Sequence, residues 1–350
     1  MMCRFVRCAA IAAVALVSAC GGGSQPQTQP TTQGGVVTEE YLIDAKDDGV
    51  KLFIRNKHPA DYHDYRPERT VLFVHGATFA GHSTFDLALD GTSWMDWMAR
   101  RGYDVYALDL RGYGKSTRPD SMAKPADQNP PAVDGVAALR DVSKAVDFIT
   151  SRRNLHRLVL VGWSWGGTLA GTYVTNSGDR VERLVLLAPQ WLRDQPPMAD
   201  LTLGAWRGVR VEQAQERWLR DVPQNERGDL VPAGWLKTWA EAQRASDPDG
   251  ARMDPPVLRA PNGVVADALK TWAAGAPAWM PEKVSIPTLV VQGEWDVDNP
   301  PSMGLGVFSR LVRAPNRRFL LIGEGTHMLM LEKNREQLFR AVQSFLEERL

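Results

Sequence analysis

Two arrangements of apolar residues alternate along this chain. The segments Val37 to Asp44 and Val50 to Lys57 flank Asp47-Asp48-Gly49 and predict two strands joined by a hairpin turn. Six short apolar runs without alternation follow: Val71–Val74, Val105–Leu110, Leu158–Val161, Leu184–Leu187, Thr288–Val291 and Phe319–Ile322. Unbroken runs of that length suit strands buried on both faces. Helical spacing separates most of them, as in Val136 to Ile149, with apolar Val142, Ala145, Val146 and Ile149, and in the terminal Gln337 to Leu350. An antiparallel start followed by strand–helix alternation predicts an α/β architecture, a mostly parallel central sheet with helices on both faces.

The alternation breaks between Pro189 and Pro281, where helix-like patterns and several prolines occur without a convincing strand. An inserted helical cap is expected over 191–281, dividing the core into 37–190 and 282–350. The cap holds seven of the twelve tryptophans: Trp191, Trp206, Trp218, Trp235, Trp239, Trp272 and Trp279. Most should form the cap's own core, with two or three facing a ligand, because Trp is large and amphipathic. No internal repeat is found.

The first residues have a different character. Arg4 and Arg7 precede the apolar run Ala9–Val17, then Ser18, Ala19 and Cys20, the charged, apolar and small-residue order of a secretory signal over 1–19. That run is too short to cross a membrane, which needs roughly 18 residues or more. Val17-Ser18-Ala19-Cys20 resembles a bacterial lipobox, which implies lipidation of Cys20 and an extracytoplasmic protein of the cell envelope, anchored to the membrane by lipid. Cys3 and Cys8 would leave with the leader, so Cys20 is the only cysteine left. Residues 20–36, largely Gly, Ser, Gln, Pro and Thr, should act as a flexible tether.

Composition narrows the functional classes. Lys plus Arg total 41 and Asp plus Glu total 41 in 350 residues, so no basic excess argues for nucleic acid as a partner. The sequence has no HExxH, CxxC or Walker loop, and the chemistry expected below calls for no metal or other cofactor.

That chemistry centres on Gly162-Trp163-Ser164-Trp165-Gly166, which follows the run Leu158–Val161 and precedes the helix-compatible Thr168 to Tyr173. This is G-x-S-x-G between strand and helix, where small glycines let the backbone crowd and hold the serine exposed and strained. A serine hydroxyl needs a positioned base, and the base needs a carboxylate to fix its tautomer. Of six histidines only His327 lies after the last predicted strand. Asp296 is the preferred acid, at the end of the run Thr288–Val291, with Glu294 and Asp298 as neighbouring alternatives.

The order Ser164, Asp296, His327, together with the serine's setting, resembles the α/β-hydrolase superfamily from about Val37 to Leu350. The resemblance implies that the backbone N–H groups of Ala77, in His75-Gly76-Ala77-Thr78, and of Trp165 bind a tetrahedral oxyanion. It also implies that Asp109-Leu110-Arg111-Gly112-Tyr113-Gly114-Lys115-Ser116 is mainly a structural turn, and that His75 is a hydrogen-bonded loop histidine. The HGGG form of many lipases and esterases is absent from the oxyanion loop. Trp163, Thr78 and Trp295 flank these positions and are candidates for the substrate pocket.

Ser164 separates the chain from members with Asp at this position, the haloalkane dehalogenases and related epoxide hydrolases, and from dienelactone hydrolases with Cys. The leading expectation is a serine-dependent hydrolase of small-molecule carboxylic esters. A prolyl aminopeptidase-type peptidase or amidase is the alternative, and it would need cap carboxylates such as Glu212, Glu216 or Glu241 to hold a free amino group. A binding protein on an inactive hydrolase fold is the third reading, disfavoured by the complete set of Ser, Asp and His. The sequence leaves oligomeric state and natural substrate open.

Overall fold

The computed structural model describes residues 29–192 and 204–349. The proposed leader and Cys20 lie outside them. Nine strands form one sheet in the order β1-β2-β3-β5-β4-β6-β7-β10-β11. In chain order these are β1 (Thr31–Gln33), β2 (Val36–Asp44), β3 (Lys51–Pro59), β4 (Thr70–Val74), β5 (Asp104–Asp109), β6 (Leu158–Trp163), β7 (Val181–Leu187), β10 (Thr288–Gly293) and β11 (Arg318–Ile322). Strands β5, β4, β6, β7, β10 and β11 run parallel, whereas β1, β2 and β3 add an antiparallel edge. Each of the six unbroken apolar runs falls within or overlaps a parallel strand.

Side chains of successive strand residues enter opposite cores, as the pleat requires. Val159, Val161 and Trp163 of β6 pack on one face with the helices Trp94–Ala99 and Arg335–Glu347. Leu158 and Leu160 pack on the other with the helices Gly135–Arg153, Trp165–Ser177 and Pro301–Arg310. Both faces are therefore covered, and this is why the parallel strands read as continuous apolar runs.

Two sequence expectations need correction. The tether was expected to extend to residue 36, but Thr31–Gln33 pair with Val36–Thr38 across Gly34-Gly35, both at positive φ. A two-residue turn with φ > 0 at both central positions favours glycine and matches hairpin twist, so a Gly-Gly pair makes a turn even in a polar stretch. The cap is not wholly helical either. It contains β8 (Trp206–Val209) and β9 (Leu258–Pro261), which pair antiparallel across about fifty residues of sequence. Four-residue strands with such a distant partner carry no local periodicity. Residues 193–203 of the cap lie outside the described residues.

The turn after β5 is structural, as the resemblance implied. Arg111 is bound by the buried Asp141 and by Asp47. Asp109 accepts from the backbone and imidazole of His82 and from the Lys115 N–H, and His82 holds its carboxyl down at about 2 against the opposing effect of burial.

An aromatic stack joins the last helix to the helix Trp94–Ala99. Phe339 lies 5.0 Å from Trp94, nearly parallel, and 5.7 Å from Trp97. Truncation of Phe339 to alanine should cost about 3–5 kcal/mol. Urea denaturation is expected to show a lowered midpoint with an unchanged slope; a midpoint equal to that of the parent would show that this stack does not hold the helix.

Candidate active site

Ser164 occupies the single residue between β6 and the helix Trp165–Ser177, at φ 56° and ψ −119°. An L-residue is strained there, so the surroundings must enforce the conformation. They do so by backbone crowding that excludes side chains. A Cβ on Gly162 would stand 2.3 Å from the Gly166 carbonyl oxygen, and one on Gly166 would stand 2.2 Å from that of Val74. Strand, turn and helix close on each other only because both flanking residues are glycine.

The acid and the base come from the next two strand ends. Asp296 follows β10 and His327 follows β11, and His327 Nδ1 lies 2.8 Å from Asp296 Oδ2. An ionised carboxylate only accepts, so Nδ1 carries the proton and Nε2 is left as the basic nitrogen. The Asp296 carboxylate is 2 % exposed. It also accepts from Gln292 Nε2 and from the Asn299 N–H, each at 2.9 Å. Burial lifts Asp296 above the ordinary carboxylate value, opposed by the charge of His327. Burial alone would depress His327, but the charge and hydrogen bond of Asp296 carry it above its ordinary 6.5.

Ser164 and His327 line one cavity of about 380 Å³. Among the described residues the two side chains share no direct hydrogen bond, and the Ser164 hydroxyl instead accepts from Asn299 Nδ2 at 3.4 Å. Such contacts are commonly loose before substrate binds.

The two N–H groups expected to bind an oxyanion are oriented by their own peptide partners. The Ser164 carbonyl accepts from Gly167, Thr168 and Gln190, so across a trans peptide the Trp165 N–H points away from the helix. His75 Nδ1 donates to the Gly76 carbonyl at 2.7 Å, while its Nε2 accepts from the Leu110 N–H at 3.1 Å. This fixes the peptide plane that carries the Ala77 N–H. Neither N–H is bonded to an internal acceptor among the described residues. His75 is fully buried, and burial pushes it down to about 4, so it is a neutral positioning group.

The remaining candidates separate cleanly. Trp163, Thr78 and Trp295 all line the cavity. Trp163 Nε1 donates to the His327 carbonyl at 2.9 Å, so it also braces the histidine loop. The side chain of Trp165 is buried in the core. Two of the seven cap tryptophans, Trp218 and Trp239, form cavity wall. Asp298 is bound at 2.8 Å by Arg217 and Glu294 accepts from the Glu324 N–H, so of the three carboxylates Asp296 is the one on the imidazole. Glu212, Glu216 and Glu241 do not line the cavity, and Glu212 and Glu241 pair with Arg244 and Lys237 on the surface.

A match to the family of the alpha/beta hydrolase fold extends over residues 69–334. The chain belongs to the α/β-hydrolase family. As an α/β-hydrolase it shares 26% identity over 263 residues with a non-heme chloroperoxidase of Burkholderia pyrrocinia, covering 71% of this chain and 80% of that one. An abhydrolase domain-containing protein of Caenorhabditis elegans is 33% identical over 93 residues, but the match spans 27% of this chain and only 19% of the relative. Among solved structures, a bromoperoxidase from Bacillus anthracis superimposes with a TM-score of 0.57 at 18% identity, covering 88% of this chain and all of the other. A thermophilic esterase from Thermogutta terrifontis does so with 0.54 at 19%, over 88% and 97%. At such identities the likeness is one of fold. Family membership supports an enzyme of the hydrolase type.

Several residues of this α/β-hydrolase site escaped sequence reading. Asn299 and Gln292 hold Asp296, Arg207 reaches the loop after β4 from the cap, and Glu332 lies beneath the histidine loop. Glu332 is fully buried and accepts from Trp218 Nε1 at 2.7 Å, from the Thr326 N–H at 3.0 Å and from the Thr326 hydroxyl. It thereby ties the cap to the residue next to His327. Its neighbours in sequence, Leu331 and Lys333, gave no sign of this.

Burial raises Glu332 from 4.5 to about 7. Between those values the folded chain holds a proton that the unfolded chain has lost, so stability falls as pH rises through that window. The full difference is on the order of 3 kcal/mol. Glu332→Gln should remove this decline, and denaturation midpoints of variant and parent between pH 4.5 and 7.5 are expected to converge or cross as pH rises. Parallel midpoint curves would contradict a buried, titrating Glu332.

Proposed function

We propose that this α/β-hydrolase cleaves small carboxylic esters through a Ser164 acyl-enzyme. What supports this reading is the strained Ser164 and His327 on one cavity wall, Asp296 paired to His327, and backbone N–H groups at Ala77 and Trp165 without an acceptor among the described residues. In the first step His327 Nε2 takes the hydroxyl proton while Ser164 Oγ bonds to the acyl carbon. The carbonyl oxygen gains charge and is held by the Ala77 and Trp165 N–H groups, each worth about 3–4 kcal/mol in the transition state. The acyl–oxygen bond breaks as His327 returns its proton to the leaving alcohol. Water then loses a proton to His327 as it attacks the acyl carbon, and His327 passes that proton to Ser164 Oγ as the acyl–Oγ bond breaks and the acid leaves. Asp296 orients the ring and stabilises its cationic form.

An ester is favoured over a free N-terminal peptide by the character of the cavity wall. An aminopeptidase needs carboxylates facing the substrate's ammonium group, and the three cap glutamates considered for that task lie elsewhere. Among the described residues the charged ones on the wall are Arg207, Arg217 and Asp298, besides His327, and Asp298 is already paired with Arg217. The reading also includes the lipid anchor at Cys20 and an envelope location, supported by the order of residues in the leader.

Hydrolysis of a short-chain 4-nitrophenyl ester is expected, with a prolyl anilide left uncleaved. Ser164→Ala should lower ester turnover by about 10⁴-fold or more, with the circular dichroism spectrum unchanged. Substantial activity in a clean Ser164→Ala preparation would remove Ser164 from the mechanism, and efficient anilide cleavage would favour the peptidase.

The base must be neutral to accept a proton, and Asp296 raises its affinity for protons. The acid limb of kcat/KM should therefore rise with pH through a midpoint above 6.5, with unit slope. Asp296→Asn should lower both the midpoint and the plateau. An acid limb unmoved by that substitution would show that another group is being titrated.

A further inference from the structure

Arg207 is a cation on the cavity wall with no carboxylate counter-ion among the described residues. It stands on β8 of the cap and extends to the oxyanion loop. Its Nη2 donates to the Ala77 carbonyl at 2.8 Å and to the Thr78 hydroxyl at 3.2 Å, and Nη1 donates to the Pro261 carbonyl at 2.8 Å and to Asn262 Oδ1 at 3.3 Å. All four acceptors are neutral. They fix the plane of the guanidinium and leave its charge uncompensated.

Other buried or half-buried arginines among the described residues show how such charges are commonly met. Arg55, Arg111, Arg153 and Arg259 each pair with carboxylates. Arg183 and Arg335 lack one but lie over the rings of Phe345 and Trp235, at 5.6 and 4.4 Å. Arg217, the second arginine on the cavity wall, is neutralised by Asp298 at 2.8 Å. Among the described residues Arg207 has no carboxylate partner and no ring beneath its guanidinium; the neutral Tyr113 phenol shares the Ala77 carbonyl with it. Burial also pulls its proton affinity down, which marks a charge poorly compensated by its surroundings.

A fixed, partly desolvated cation beside the reaction centre favours a negative charge on whatever fills the cavity. Resting on the ester-hydrolase reading above, we infer that the cavity selects esters that carry a carboxylate on their acyl or alcohol part, with Arg207 as the group that balances it. The carboxylate neutralises a charge already held in place, so little ordering cost falls on the protein at binding. Because the guanidinium also grips the Ala77 and Thr78 segment, an occupied site would stiffen the oxyanion loop.

The test compares charged esters with neutral analogues of similar size near pH 7.5. The 4-nitrophenyl monoester of glutaric acid against 4-nitrophenyl pentanoate places the carboxylate on the acyl side, and 4-acetoxybenzoate against 4-acetoxybenzamide places it on the alcohol side. In at least one pair the charged ester is expected to have the higher kcat/KM by about tenfold. Arg207→Gln should abolish that ratio, whatever it does to the overall rate, and Arg207→Lys should retain part of it. Equal kcat/KM values within both pairs of the unaltered enzyme, or a preference that survives in Arg207→Gln, would overturn the inference.

A second readout separates this inference from the reaction itself. Glutarate should raise the melting temperature of the Ser164→Ala protein, and the double variant with Arg207→Gln should not respond. Glutarate stabilisation without hydrolysis of any ester would leave the anion site standing and refute the ester reading. Hydrolysis of neutral esters without charge preference or glutarate stabilisation would do the reverse.

Discussion

Everything at the site depends on one steric constraint, the approach of three backbone segments at Ser164 to distances that no side chain allows. The end of β6, the first turn of the following helix and the loop after β4 meet where Gly162, Gly166 and Gly76 supply no Cβ; even at Gly76 one would stand 3.0 Å from the Ser164 Cβ. The same packing that leaves no room for side chains holds Ser164 at positive φ and lifts its hydroxyl into the cavity. Strain of this kind costs on the order of 1–3 kcal/mol and persists only where the surroundings outvote it. Here the surroundings are the interior of the sheet, with β6 flanked by β4 and β7, so the strain is set among buried, hydrogen-bonded strands.

The rest of the machinery is arranged around that fixed point by peptide geometry and by buried amides. His75 holds one N–H by gripping the carbonyl on the other side of the same peptide bond, and the first turn of a helix holds the second. Asn299 joins three parts at once: its N–H binds Asp296, and its side-chain amide spans the Ala188 carbonyl and the Ser164 hydroxyl. Because a buried donor without a partner costs about 1–3 kcal/mol, this network has few alternative arrangements. The acid loop is thereby referenced to the serine itself, not merely to the strand that precedes it.

Legibility in the sequence follows the range of the interaction that fixes each feature. The parallel strands could be read because burial on both faces leaves an unbroken apolar run. Ser164 could be read because its constraint is local, a matter of glycines at adjacent positions between strand and helix. Asp296 and His327 were narrowed by their places after strand ends, since a parallel sheet brings those ends together. By contrast, β8 and β9 recognise each other across the cap, and Glu332, Asn299 and Arg207 owe their roles to partners many residues away or to loops without periodicity. The Gly-Gly turn at 34–35 was legible in principle, but its surroundings of Thr and Gln carried the composition of a tether.

The cap is where fold and specificity part company. The sheet belongs to a fold shared with solved structures at below one fifth identity, so by itself it says little about the substrate. The cap adds a further wall: Trp218 and Trp239 supply apolar surface, and Arg207 supplies a charge that no carboxylate among the described residues pairs with. Trp218 and Arg207 are connected to the loops that carry the candidate residues, one through Glu332 and Thr326 to the His327 segment, the other through Ala77 and Thr78 to the loop after β4. A substrate that settles the cap therefore acts on both halves of the candidate machinery through hydrogen bonds already in place. On this view the cap is a second wall of the active site, built so that contacts remote from the scissile bond bear on the groups that break it.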